Sequence, residues 1–478
     1  MQYLFNDEWI DHRAGVRRVP GSPCKLPAPV LRPEAPWELN GIQGHHALFF
    51  DEEEQTFKHW YRSTLEGETT RTFICYAESS DGLEWHRPSL GLIDFNGSSD
   101  NNILMEWDEG DSMLWNVVKD THEEDPNRRY KAIGFDRTEE HLVEPVKPGR
   151  NKGVCIGFSA DGLRWSVPQL VMNTNDMTDS DNLLGQRDPT TGKWVAYFRP
   201  RTHPKRRFIG YSESDDFIHW SYPRMLLTPD SNDAEWLEFY GLTVAQMAQS
   251  QVGLLWVYHN NPDYSPMTVE LVYSPDGRSF FRPMPGVEFL PLGPDGDFDS
   301  RMIIPIALIE RGNEYLLFYN GRNSEHGSDR GMPMQRGKRV EDENPQSGVG
   351  LARIAGKKFC GLRADMDGLV ETKWLCNYGD AGIVAEVDID EGGWIKAEVC
   401  DQFGEVLPGW DRSCCEVELK GYGLMHFSWG ERSLAGKFDQ VSEAGGRIGH
   451  VVKVRFHLHK ATLFGFHVGA EDSHPRWK

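Results

Sequence analysis

Residues 76–88 read YAESSDGLEWHRP, and this run decides the fold. The alternating strand TFICYAES (72–79) enters a tight Ser-x-Asp-Gly turn, where Gly supplies the positive φ that such turns demand. A short return segment then carries an aromatic anchor. The pattern recurs as IGFSADGLRWSVP (156–168), IGYSESDDFIHWSYP (209–223) and LVYSPDGRSFFRP (271–283). A degenerate fifth copy is VGLARIAGKKFCG (349–361). The anchors read from the copies are Trp85, Trp165, Trp220, Phe281 and Phe359, spaced 80, 55, 61 and 78 residues apart.

A second element precedes each copy: an apolar strand, a polar turn and an aromatic-rich strand. The five examples occupy residues 46–63, 113–135, 183–200, 242–260 and 303–321. Each unit therefore holds about four strands, which is a propeller blade. The expected fold is all-β, a five-bladed β-propeller over 37–362 followed by a β-sandwich over 363–470. The sandwich is read from the short alternating runs IVAEVDID, GWIKAEVCD, CEVELKG, HVVKVRFHL and ATLFGFHV. Residues 1–36 are expected to form an arm lying across the propeller, Ser328 to Pro345 a surface loop, and 471–478 a frayed tail. Kelch and WD40 repeats are shorter and their signatures are missing.

Bulk properties narrow the function. The chain has 478 residues, 12% of them aromatic and 16 of them Trp, which is ample material for a packed core. A net charge of -22 repels phosphate backbones and excludes nucleic acid as a partner. The eight cysteines form no Cys-x-x-Cys pair, so reduced thiols and no structural metal are expected. The first residues, MQYLFNDEWIDHRAG, lack the apolar core of a signal peptide, and no run reaches the roughly 20 apolar residues that cross a bilayer. A cytoplasmic protein with no cofactor and no membrane partner is expected, with the sandwich offering an interface for a homo-oligomer.

In a propeller the residues just before each innermost strand crowd around the axis at one mouth. Blade one offers Glu38, Asn40, Gln43, His45 and His46 there. Blade two offers Asp111 and Ser112. Blade three offers Asp179, Asp181 and Asn182. Blade four offers Glu235, Glu238 and Tyr240, and blade five Asp297, Asp299 and Arg301. Carboxylates gathered at one funnel suit acetal hydrolysis, in which one is protonated and another ionised. Like charges at close range push their pKa values apart and create that division. Aromatics such as Trp37, Trp236, Phe239 and Tyr240 can stack on sugar faces. Arg199 and Arg201 follow the blade-three hairpin, and Arg322 and His326 follow the blade-five hairpin.

The whole chain, over about 30–470, resembles the five-bladed propeller glycoside hydrolases of families 32 and 43, especially bacterial family-32-like proteins. The runs that carry the resemblance are APWELNG (35–41), CYAESSDGLEWHRPSLGLIDFNGSSDNNIL (75–104), DNLLGQRDPTTGKWVAYFRP (181–200) and LLFYNGRNSEHG (316–327). The resemblance implies a glycosidase, often acting on furanosides, with an Asp from blade one, a second stabilising Asp and a Glu acid. Blade one departs from that pattern: NGIQGHH (40–46) carries no Asp, and the Arg-Asp-Pro at 187–189 lies in a hairpin turn.

The expected activity is therefore cleavage of a terminal glycosyl residue from an oligo- or polysaccharide. Glu238 is expected as general acid, with Asp181 or Asp299 as base or nucleophile. Asn40, Gln43, His45, Asp111, Asp179, Arg199, Tyr240, Arg301, Arg322 and His326 are expected to bind substrate. The alternatives are a carbohydrate-binding propeller without turnover, and a phosphorylase or transglycosidase using Arg199, Arg201 and Arg322 for phosphate.

Overall fold

The computed structural model describes residues 1–65, 71–107, 116–136, 153–166, 168–173, 183–202, 206–247, 250–261, 264–326, 346–376, 382–420, 423–432, 440–441, 447–448 and 451–469. Asp111, Ser112, Asp179, Asp181, Asn182, the stretch 328–345 and the tail 471–478 lie outside them. Secondary structure among the described residues is strand, apart from the 3-10 turns Pro36–Glu38 and Pro126–Arg128. No helix among them is long and apolar enough to cross a membrane. The chain divides into two compact units. One comprises Pro23–Arg311 and Leu316–Arg353. The other comprises Met1–Ser22, Gly312–Tyr315 and Ile354–Lys478.

The first unit is built from antiparallel strands added outward in chain order. Ile42–Asp51 pairs with Thr56–Leu65, then Arg71–Ser79, then Ile103–Trp107. Asn116–Lys119 leads to Tyr130–Asp136, Gly153–Ser159 and Gln169–Asn173. Leu183–Arg187, Trp194–Phe198, Ile209–Ser214 and Arg224–Leu227 follow the same order. Leu237–Met247, Ser250–His259 and Met267–Ser274 begin a fourth set. Met302–Arg311, Glu314–Arg322 and Ser347–Ala355 begin a fifth, whose outer strand is Cys24–Lys25 from near the N-terminus. The five first strands lie against one another in turn: Met302–Arg311 on Ile42–Asp51, then Asn116–Lys119, Leu183–Arg187, Leu237–Met247 and back to Met302–Arg311.

Two side-chain amides and a hydroxyl tie these strand sets together. The Asn320 carboxamide accepts from the Gly44 N–H at 2.8 Å and donates to the Gly44 carbonyl. Asn116 donates to the His46 carbonyl at 2.7 Å and accepts from the Gly185 N–H at 3.1 Å. Thr243 donates to the Pro305 carbonyl at 2.9 Å and accepts from the Trp256 indole at 3.0 Å. All of these groups are buried, so each bond satisfies a polar group that water cannot reach.

The repeated turn has one geometry. Ser79 Oγ accepts from the Gly82 N–H at 2.9 Å, and Asp81 Oδ1 accepts from the Leu83 and Glu84 N–H groups at 2.8 and 3.0 Å. The Trp85 indole donates back to the Gly82 carbonyl at 3.3 Å. Ser159, Asp161 and Trp165 repeat these bonds. The residue after Asp is left-handed throughout: Gly82 at φ 76°, Gly162 at 75°, Phe217 at 69° and Gly277 at 70°. The anchor stands three residues later. That register makes Phe280, not Phe281, the fourth anchor: it is buried and edge-packed on Tyr197 at 5.6 Å. Phe281 instead forms the return bridge to Tyr273.

In the second unit, residues 1–22 supply strands of one large sheet. Ile10–Ala14 and Arg17–Pro20 pair with Cys360–Thr372, and Gln2–Tyr3 pairs with Val451–Gly469. The central order is Ile10–Ala14, Cys360–Thr372, Val451–Gly469, Gly382–Cys400, Leu424–Ser428, Glu416–Lys420. Two pairs of runs that read as separate strands in the sequence are each continuous. Gly382–Cys400 slips register between Ile389 and Trp394, opposite the left-handed Lys460 in Val451–Gly469. The bend is a bulge, not a chain reversal.

Phe217 is the informative turn residue, because a Phe at positive φ is strained by roughly 1–2 kcal/mol. Its ring is fully buried against Trp194, with centroids 4.9 Å apart, and against Trp220 at 5.6 Å. Removing such a ring costs about 3–5 kcal/mol, which outweighs the relief. Phe217→Gly should lower unfolding stability by about 2–4 kcal/mol in a urea titration. Gly162→Ala should cost at least as much, because its added Cβ would sit at positive φ and 2.8 Å from the buried Trp60 ring.

Candidate active site

Antiparallel pairing brings the start of each inner strand and the end of its neighbour to one edge of the first unit. Gln43 faces Arg62, and Glu238 faces Tyr258. Leu183 pairs with Phe198, so Arg199 follows at the same edge. The Arg301 N–H donates to the Arg322 carbonyl at 3.0 Å. These residues come from four stretches far apart in the chain.

Glu238 sits at the base of this edge and is only 3% exposed. The Arg207 guanidinium contacts its Oε2, and the Asn260 amide donates to its Oε1 at 3.0 Å. Arg207 is carried by the two-residue pairing of Arg201–Thr202 with Arg206–Arg207. The strand register slips between Phe239 and Gly241, so Tyr240 is the extra residue of a bulge. Gly241 is required there, because a Cβ would lie 2.4 Å from the Trp256 ring.

Tyr240 organises the rest. Its hydroxyl and His326 Nε2 are 3.1 Å apart, and the His326 ring stands edge-on to Tyr240 and Tyr258 at 4.8 and 5.2 Å. The Arg199 guanidinium lies 4.0 Å from the centre of the Tyr240 ring, and Arg207 lies 5.3 Å from both tyrosine rings. Cation–π contact at these distances lets a guanidinium stay charged against an apolar wall. Desolvation pushes the Tyr258 hydroxyl upward, and the neighbouring arginine opposes that shift.

His45 and His46 lie beside this group. His46 stacks on Trp256 with centroids 5.1 Å apart, and His45 is 6.5 Å away from the same indole. Burial holds the His45 imidazole well below its ordinary value, aided by His46 and by the charges of Arg62, Arg199 and Arg322. Burial alone takes His46 down to about 3.

The structure thus draws Glu238, Tyr240, His45, Arg199, Arg322 and His326 into one neighbourhood. Other expected residues are engaged elsewhere. Asp299 is buried and holds Lys25 Nζ at 2.7 Å and the Tyr319 hydroxyl at 3.0 Å, tying Cys24–Lys25 to the fifth strand set. Asp297, Glu235 and Asn40 are exposed, while Gln43 is half-buried. Arg301 pairs with Asp295 at 3.3 Å and covers the Tyr264 ring at 5.3 Å. Glu38 caps its own turn, accepting from the Glu34 and Ala35 N–H groups, the Tyr61 hydroxyl and Arg87. Trp37 donates to Asn102 and packs on Phe95. Reading the sequence for residues before inner strands missed Arg62, Arg207, Tyr258 and Asn260. Arg62, Tyr258 and Asn260 lie near the end of a hairpin's second strand or just past it, and Arg207 lies on the next short hairpin. Applying the same equivalence to that step would have found Arg62, Tyr258 and Asn260.

Among the described residues no cluster of three or more His, Cys, Asp or Glu side chains is arranged to hold a metal ion. No protein-family model matches the chain, and no curated protein matches it. Among solved structures it is similar to an N-acetylgalactosamine deacetylase from F. plautii in complex with blood group B trisaccharide. Identity is 16%, covering 72% of this chain and 96% of that one, with a TM-score of 0.42. It is also similar to a glycoside hydrolase family 32 β-fructofuranosidase from Bombyx mori, at 12% identity over 93% of both chains and a TM-score of 0.43. A third similar structure is β-1,2-mannobiose phosphorylase from Listeria innocua, at 11% identity over 70% of this chain and 97% of that one, TM-score 0.44.

The buried histidines give a pH dependence of known sign. His46 is lowered to about 3 and His59 to about 4, both chiefly by burial, while in the unfolded chain each titrates near 6.5. Between those values the unfolded chain binds more protons, so stability falls as pH falls. The melting temperature should drop on acidification from pH 6.5 toward 4. His46→Gln should show a shallower drop over that window; identical slopes would refute the assignment.

Proposed function

We propose that the first unit is a five-bladed β-propeller, that the second is a β-sandwich domain, and that the chain cleaves a glycosidic bond of a carbohydrate at the edge where Glu238 lies. One observation carries this reading: a buried carboxylate stands beside a hydrogen-bonded Tyr240–His326 pair on a strand bulge. Glycoside cleavage needs a proton for the leaving oxygen and negative charge close to the cationic anomeric centre.

Both Glu238 oxygens already accept hydrogen bonds, from Arg207 and Asn260. That arrangement suits Glu238 to accept a proton or to face developing positive charge. The donor role expected for it from the sequence passes, in this reading, to the Tyr240–His326 pair, which can hand a proton along a 3.1 Å hydrogen bond. Asp181 is retained as the partner carboxylate. Asp299, engaged by Lys25 and Tyr319, serves the fold.

The test is turnover of a panel of aryl furanosides and pyranosides by wild type and Glu238→Gln. The substitution should lower kcat/KM by about 100-fold or more while the fold persists. Equal activity in the two proteins would sink the proposal.

A further inference from the structure

Three aromatic side chains among the described residues of the first unit are two-fifths exposed or more: Tyr222 at 76%, Trp236 at 41% and Tyr264 at 40%. Tyr222 follows the turn that closes Ile209–Ser214, where Ser214 bridges to Trp220 and pairs with Trp194, toward the other edge of the sheet. The remaining two stand at the strand edge that carries Glu238. Trp236 immediately precedes Leu237–Met247, and Tyr264 lies between Ser250–His259 and Met267–Ser274.

Both residues are braced. Asn260 links Trp236 to Glu238: its N–H donates to the Trp236 carbonyl at 3.0 Å, and its amide donates to Glu238 Oε1 at 3.0 Å. The Leu237 N–H donates to the Ala234 carbonyl at 2.9 Å, so Trp236 sits in a closed turn. Tyr264 is held from the fifth strand set. The Arg301 guanidinium lies 5.3 Å from its ring centre and pairs with Asp295 at 3.3 Å, while the Met267 N–H donates to the Arg301 carbonyl at 3.1 Å. The Ser265 hydroxyl donates to the Asn261 carbonyl at 2.5 Å, which keeps the residue after Tyr264 close to Asn260. A single exposed ring is ordinary, but two at one edge, joined through Asn260 and its neighbours, form a prepared apolar surface. Rings held in this way have little freedom left to lose when a ligand covers them.

We propose that Trp236 and Tyr264 are stacking platforms for sugar units next to the one held at Glu238, so that the site recognises its substrate by chain length. The C–H face of a pyranose or furanose ring is apolar and packs flat on an aromatic ring, while the hydroxyls at its rim stay in water. Contacts to units remote from the reacting bond hold that bond in position at the carboxylate. Placing the platforms beside a cleavage site rests on the glycosidic reading above; the binding of a sugar chain by the two rings does not.

The experiment is calorimetric titration of the full chain with thio-linked di- and trisaccharides of fructose, arabinose, mannose and galactose, whose sulfur bridges resist cleavage, and with the methyl glycoside of each sugar. The quantity read is the ratio of trisaccharide to methyl-glycoside affinity, which a loss of folded protein does not move. Wild type and Tyr222→Ala should bind at least one trisaccharide about tenfold tighter than its methyl glycoside. Trp236→Ala and Tyr264→Ala should each cut that ratio by about threefold or more, and the double variant should abolish it. Trp236→Phe, which keeps a ring, should retain most of it. Absence of saturable binding by every trisaccharide, or an unchanged ratio in the alanine variants, overturns the platforms. Because these sugars are not cleaved, that failure is distinct from an unaltered Glu238→Gln enzyme.

Discussion

The amide of Asn320 grips both the N–H and the carbonyl of Gly44, and much else depends on that grip. Neighbouring strand sets in the first unit keep little backbone ladder between them. Contact between the first and second sets includes a single parallel bridge, His46 with Asn116. Between the fourth and fifth it is Met267 with Met302. Polar backbone buried along such seams must find other partners. Asn320, Asn116 and Thr243 supply them. Gly44 has no side chain to obstruct the approach, since a Cβ there would lie 2.5 Å from His59. The consequence reaches the next two residues: with Gly44 pinned, His45 and His46 are delivered against Trp256 and beside the arginines.

The site shows how burial and charge divide the work between similar residues. Glu38, Glu238 and Asp299 are all buried acids at related positions. Glu38 is consumed by two backbone donors, a tyrosine and an arginine, and Asp299 by a lysine and a tyrosine. Removing a partner from either would leave an uncompensated buried charge. Glu238, held by Arg207 and Asn260, differs by its further neighbours, a bulged Tyr240 hydrogen-bonded to His326.

Much of the fold was legible because turn chemistry is local. Ser, Asp and Gly bond to backbone within three or four residues, so the motif states its geometry wherever it occurs. Phe281 reads as the anchor because two aromatics stand side by side; the three-residue register after the left-handed Gly277 and the burial of its ring select Phe280. The long strands Gly382–Cys400 and Val451–Gly469 read as pairs of runs, because Gly392 and Gly393 look like a turn in one dimension. In the sheet a matching irregularity at Lys460 turns them into a shared bend.

The sequence by itself determined the repeating unit, its all-β character and the edge at which polar residues from different repeats would meet. These follow from period-two alternation and from turns that close over a few residues. Tertiary structure alone decided which of those polar residues meet one another and which are spent on structure. It paired Asp299 with Lys25, more than 250 residues away, and set Arg199 on Tyr240. It also assigned residues 1–22 to the unit built from the C-terminal strands. The physical reason is that an ion pair or a ring contact depends on distance in space, and strand order around a ring sets that distance without any local mark in the chain.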